Sequence, residues 1–174
     1  VIDVEIPEDN PFVYKTGKEI VDVLENESAY VLFGYASCPL TRAAIETLVS
    51  ALAENGINNV YYVDIKDMRD EYVAGSSIIP EKVKDGSPAY YDILDFFGSK
   101  LEKYYVSDET GFYLYDTGVK RLYSPTFVAV NDGKIVAMHE KLVDTYDNTN
   151  RELTKEEKEE LKKEYIDVIE SLKK

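Results

Sequence analysis

The chain holds a single cysteine, Cys38, set in the stretch "YASCPLTRAAIETL", one residue before a proline and where apolar residues begin to recur at helical spacing. A thiol at a helix N-terminus faces unpaired backbone N–H groups and the positive end of the helix dipole, and both favour the thiolate, the reactive form of sulfur. Pro39 suits the first helical position, where its missing N–H costs no hydrogen bond. Thr41, one turn on, can offer a hydroxyl to the sulfur, which favours the anion further. One cysteine excludes an intrachain disulfide and any multi-cysteine metal site; the chemistry left to Cys38 is attack on an outside disulfide to give a mixed disulfide or, as the weaker variant, oxidation by peroxide to a sulfenic acid. The plainer alternatives are a small packing residue at 38 and an ordinary helix-start hydroxyl at 41.

Other candidates carry less. Arg42 could bias the sulfur electrostatically but reads better as a solvated helix residue. His139 has no second ligand near it in sequence, so no metal is expected, and no cofactor either. "DTYDNTN", residues 144–150, lacks the central glycine and terminal glutamate of a calcium loop and reads as a polar turn. There is no Ser-His-Asp set and no glycine-rich phosphate loop. A net charge of −14 over 174 residues, with no basic patch, disfavours nucleic acid and anionic membranes as partners. No apolar run approaches the roughly 20 residues that cross a bilayer. The chain opens on Val1 with "VIDVEIPEDNP". That start suits a mature exported protein with its leader removed, and a trimmed cytoplasmic chain would look the same; the single cysteine fits either compartment, with an extracytoplasmic location the favoured expectation.

The elements that must position Cys38 follow from periodicity. "TGKEIVDVLENE" reads as a first helix capped by Thr16, with Glu19 completing a capping box. "AYVLFGY", residues 29–35, is continuously apolar, as suits a central strand covered on both faces. The helix from Cys38 runs to about Gly56 and "NNVYYVDI" follows as a strand, so the two strands are parallel neighbours joined by a crossover. "SPTFVAVNDGKIVAMHEKL" is a hairpin turning on Asn131, Asp132 and Gly133. From Thr154, with Glu157 at the capping-box offset, an amphipathic helix closes the chain. Residues 67–123 are too long for a structureless loop. There "SPAYYDILDFFGSKLEKYY" predicts a helix capped by Ser87, started by Pro88 and carrying Ile93, Leu94, Phe97 and Leu101 on one face. The chain has 15 tyrosines, and Tyr90, Tyr91, Tyr104, Tyr105, Tyr113, Tyr115 and Tyr123 crowd this part of it. They suit either core packing or a partner surface.

"FGYASCPLT" followed by "SPTFVAVNDGKIV" resembles the thioredoxin superfamily, whose members place a cysteine at the start of the helix after a central strand and a cis-proline at the opening of a later hairpin. Over this arrangement the chain is also similar to bacteriocin transport accessory proteins of Gram-positive bacteria. The resemblance covers residues 12–65 and 122–172. It implies an α/β, thioredoxin-like single domain over residues 1–174, a mixed sheet flanked by helices, with residues 67–123 as a largely helical insertion before the cis-Pro hairpin. It puts Cys38 at the nucleophilic position, Thr41 where a resolving cysteine would stand, and Pro125 at the cis-proline. Tyr35, Pro39, Ser124 and Thr126 flank these as substrate-binding positions, and the expected partner is a thiol- or disulfide-bearing protein or peptide. Two departures go together: Thr41 cannot resolve a mixed disulfide, and Leu32 stands where thioredoxins keep a buried acid. The expected function is a one-cysteine thiol-disulfide protein. The alternative is a non-catalytic binding module or accessory protein in peptide export or extracytoplasmic folding.

Overall fold

A computed structural model describes residues 3–75, 79–147 and 150–173. In chain order the elements are β1 (Phe12–Tyr14), α1 (Gly17–Asn26), β2 (Ala29–Gly34), α2 (Pro39–Glu54), β3 (Val60–Asp64), β4 (Glu71–Val73), β5 (Glu81–Lys84), α3 (Pro88–Phe97), β6 (Lys103–Ser107), β7 (Leu114–Lys120), β8 (Thr126–Asn131), β9 (Lys134–Glu140) and α4 (Lys155–Lys173). They form two compact units, Val1–Ile65 with Tyr123–Lys174, and Lys66–Leu122.

The first unit is an α/β fold built on a five-stranded mixed sheet in the order β1-β3-β2-β8-β9. β1 and β2 run parallel to β3, β2 is antiparallel to β8, and β8 to β9. Strand β2 sits at the centre, and Tyr30 to Gly34 are all buried, as its unbroken apolar run requires. Side chains alternate across a strand, so Tyr30 and Leu32 join Phe127 and Ala129 in one core with Leu48 and Leu52 of α2 and Leu161, Tyr165 and Ile169 of α4. Val31 and Phe33 point to the other face and are buried there, as are Ile20, Val23 and Leu24 of α1. Each fully buried Leu, Ile or Phe contributes roughly 1.5–3 kcal/mol by leaving water. The Tyr30 hydroxyl donates to the Ile169 carbonyl, so the ring is buried without leaving its polar end unpaired.

Local rules place the element ends. Thr16 and Glu19 make the expected capping box of α1. The β8–β9 hairpin turns on Asp132 and Gly133, both at positive φ, and a Cβ on Gly133 would come within 2.5 Å of the Glu25 carbonyl oxygen. The Ser124–Pro125 peptide is cis.

The second unit corrects the expectation of a largely helical segment. Among its described residues it has one α-helix, α3, and two short antiparallel ladders, β4–β5 and β6–β7. The Ser87 cap and Pro88 start of α3 are as read, but the helix stops at Phe97, because Gly98 takes φ +56° and leads into a short 3-10 turn. Leu101 is buried beyond the helix end, and Tyr104 and Tyr105 lie in β6. Tyr90, Ile93, Phe97, Leu101 and Leu122 are buried in this unit. Arg121 stacks 4.0 Å over Tyr104 and donates to the Asp70 carbonyl at 2.7 Å. The tyrosines divide accordingly: Tyr90 is inside, whereas Tyr105 and Tyr113 are exposed.

Candidate functional site

Helix α2 starts at the end of the central strand, and Cys38 is its N-cap residue, with extended backbone and no side-chain capping bond. A turn delivers it there: the Cys38 N–H donates to the Tyr35 carbonyl at 3.0 Å, and the Cys38 carbonyl accepts the Arg42 N–H at 3.0 Å. Pro39 at the first helical position is exposed and removes a donor that would have no partner. The sulfur sits close under the surface, with the residue 4% exposed.

Eighty-six positions on, the hairpin that pairs with β2 brings Ser124 and Pro125 to the same place. The thiol lies 3.8 Å from the Ser124 carbonyl oxygen, its acceptor. Thr41 Oγ1 and Ser124 Oγ are 2.8 Å apart, both on buried residues. Gly34 permits this pairing from below, since a Cβ there would stand 3.0 Å from Thr41 Oγ1 and 3.2 Å from its methyl.

Burial pushes the Cys38 thiol up, and the hydrogen bonds around it outweigh burial: the Ser124 hydroxyl, the Thr41 amide and hydroxyl, and the Leu40 amide hold it below its ordinary value. The amides of Leu40 and Thr41 are the unpaired donors of a helix start, which an oxygen cap would otherwise occupy. The Ser124 carbonyl acts the other way, since an acceptor favours the protonated thiol. The sum is an anion-favouring pocket with one neutralising contact.

The positions flanking this centre differ in what they present. Tyr35 is half-buried and supplies the carbonyl of the turn. Ser124 faces Thr41 and the sulfur. Thr126 is fully buried in β8 and its hydroxyl donates to the Tyr123 carbonyl, so its side chain faces inward, not towards the surface beside Cys38. Arg42 donates to the Ala36 carbonyl at 3.2 Å, bracing the turn. Lys141 has φ +60°, donates its N–H to the Pro125 carbonyl at 2.7 Å, and holds its ammonium 4.2 Å over the Tyr123 ring. A positive φ in a lysine costs about 1–3 kcal/mol, and no residue pattern announces it.

Tyr62 was missed by the residue pattern as well. It lies opposite Leu32 in the β2–β3 register. Burial, then the charges of Asp64 and Cys38 among others, push its hydroxyl up to about 12. Parallel pairing of "AYVLFGY" with "NNVYYVDI" held the signal that would have found it.

Elsewhere, His139 Nε2 is 2.7 Å from the Leu142 carbonyl and its ring stands edge-on to Tyr165, a packing role. In the polar turn after β9, Asp147 pairs with Arg151, while Asn148 and Thr149 lie outside the described residues. Among the described residues no group of three or more His, Cys, Asp or Glu could hold a metal, and no helix is long and apolar enough to cross a membrane. No protein-family model matches the chain, and none of the curated proteins compared with it matches either.

Proposed function

We propose that the protein is a thioredoxin-like, one-cysteine thiol-disulfide protein that works through Cys38. The observation that carries this reading is the place of Cys38 at the N-cap of α2, where no side-chain cap occupies the helix-start amides and the Thr41–Ser124 hydroxyl pair lies beside the thiol's acceptor, the Ser124 carbonyl. The two landmarks of the resemblance support it as well: the cysteine-bearing helix follows a central strand, and a cis Ser124–Pro125 peptide opens the β8–β9 hairpin beside it. In the step proposed, the Cys38 thiolate attacks one sulfur of a partner disulfide. The Cys38–S–S–partner bond forms as the partner's own S–S bond breaks, and the second partner sulfur leaves as a thiolate. With Thr41 in place of a resolving cysteine, a thiol from solution must attack the mixed disulfide. It restores the Cys38 thiolate and leaves in disulfide linkage with the partner.

The partner is a thiol- or disulfide-bearing protein or peptide. Its backbone is taken to lie along the edge formed by Tyr35, Pro39 and Ser124. The burial of the sulfur favours a second reading, a non-catalytic binding module or accessory protein for peptide export or extracytoplasmic folding. Incubation with glutathione disulfide, read by intact mass, separates the two. The thiol reading expects a single glutathione adduct on the folded chain at neutral pH, removed by added thiol. An adduct that forms only after unfolding would leave the binding module.

A further inference from the structure

Helix α2 covers the centre of the sheet but not its β1 edge. Phe12, Leu32 and Tyr62 share one face there, by the register of β1, β2 and β3. Thr41, Arg42 and Ile45 of α2 wall one side, and Val4, Ile6 and Asn10 wall the other. The latter belong to residues 3–10, which enter no helix or strand. Between these walls lies a cavity of about 270 Å³ with a mainly apolar lining.

Its size and surface restrict what it can take. The volume lies just below the roughly 300–1,000 Å³ of drug-sized sites, so it suits a small molecule and not a peptide segment. Phe12 and Tyr62 meet at 6.4 Å with their ring planes 63° apart, and such walls favour a further aromatic ring. The polar groups of the lining are mostly engaged. Thr41 bonds Ser124, the Asn10 amide donates to the Pro7 carbonyl, and Arg42 donates to the Ala36 carbonyl. No hydrogen bond to the Tyr62 hydroxyl is present among the described residues, which leaves a phenol for one polar atom of a guest. A charged guest would lose its hydration in this lining, and an anion would also meet a chain of net charge −14.

We propose that this cavity is a binding site for a small uncharged ring compound carrying one hydrogen-bonding group, a phenol or its equivalent, which packs on Phe12, Leu32 and Ile45 and bonds the Tyr62 hydroxyl. The cavity shares Thr41 as a wall with the thiol site, but its binding does not depend on the thiol chemistry.

The probe is p-cresol, titrated into isotope-labelled full chain and followed by amide shifts, with toluene as the counterpart that lacks the hydroxyl. Saturable shifts confined to the lining residues are expected. Ile45→Phe, which fills the cavity, and Ile6→Ser, at an exposed position that spares the fold, each weaken p-cresol binding about tenfold or more. Tyr62→Phe weakens p-cresol several-fold and leaves toluene unchanged. Shifts that do not saturate or scatter over the surface would overturn the proposal, as would p-cresol binding undiminished in both Ile45→Phe and Ile6→Ser.

Discussion

The two long helices of the sheet unit begin in opposite ways. At α4, Thr154 Oγ1 accepts the Glu157 N–H at 3.2 Å and Glu157 returns the bond to the Thr154 N–H at 2.9 Å. Arg151 binds both Glu157 oxygens at 2.8 and 2.9 Å and stacks over Tyr146. The box satisfies the Thr154 and Glu157 amides reciprocally. At α2 the cap is a sulfur that accepts no capping bond at helix-cap geometry, preceded by exposed Ala36 and Ser37. The first helix start holds the fold together. The second leaves its amides available to stabilise an anion, which is what a reactive thiolate needs and a stable helix does not.

Breaking the second start shows this most sharply. Cys38→Ser removes the nucleophile and abolishes glutathione adduct formation entirely. Serine is also among the best N-cap residues, so the same change keeps or raises stability by up to about 1 kcal/mol in urea unfolding. A variant that loses adduct formation by unfolding would not make the point; one that loses it while growing more stable would.

Thr41→Val is next. It keeps the shape and removes the hydroxyl, so the buried Ser124 hydroxyl loses its partner at a cost of about 1–3 kcal/mol. The Cys38 thiol, deprived of a donor, titrates at higher pH, which alkylation against pH would record. Thr154→Ala tests the other start. Loss of that cap costs about 1 kcal/mol, and the alkylation profile of Cys38 stays where it was.

The smallest effect is one of pH. Arg151 chiefly, with the Thr154 amide, holds the Glu157 carboxyl down to about 2 against an ordinary 4.5. A depressed carboxylate adds stability above its unfolded value, and that stability is lost as pH falls from about 4.5 towards 2. Thermal unfolding should therefore decline across that window, and more gently in Glu157→Gln. Equal slopes would remove the box from the account.

What the sequence made legible follows the same division. Caps are local, so the starts of α1, α3 and α4 could be read from Thr16, Ser87 and Thr154, and the continuous apolar run of β2 marked the sheet centre. The segment 66–122 was less legible. β4 and β5 are three and four residues long, β6 continues a run that fits a helical face, and one glycine at positive φ separates the two readings. At the site, Cys38 and Pro39 announced themselves by position. The pairing of Thr41 with Ser124 spans 83 residues and arises only when β8 aligns beside β2. Tyr62 and Lys141 depend on strand register and on a loop conformation, which local propensity does not encode.

The central claim is that the start of α2 stabilises a thiolate, and the rate of Cys38 alkylation by iodoacetamide against pH tests it most directly, with the urea-unfolded chain as reference. The account predicts a folded midpoint below that of the unfolded chain, whose thiol titrates near its ordinary value of about 8.5. A folded midpoint at or above the unfolded one would contradict it: burial and the Ser124 carbonyl would then prevail over the amides and hydroxyls, and Cys38 would be a packing residue.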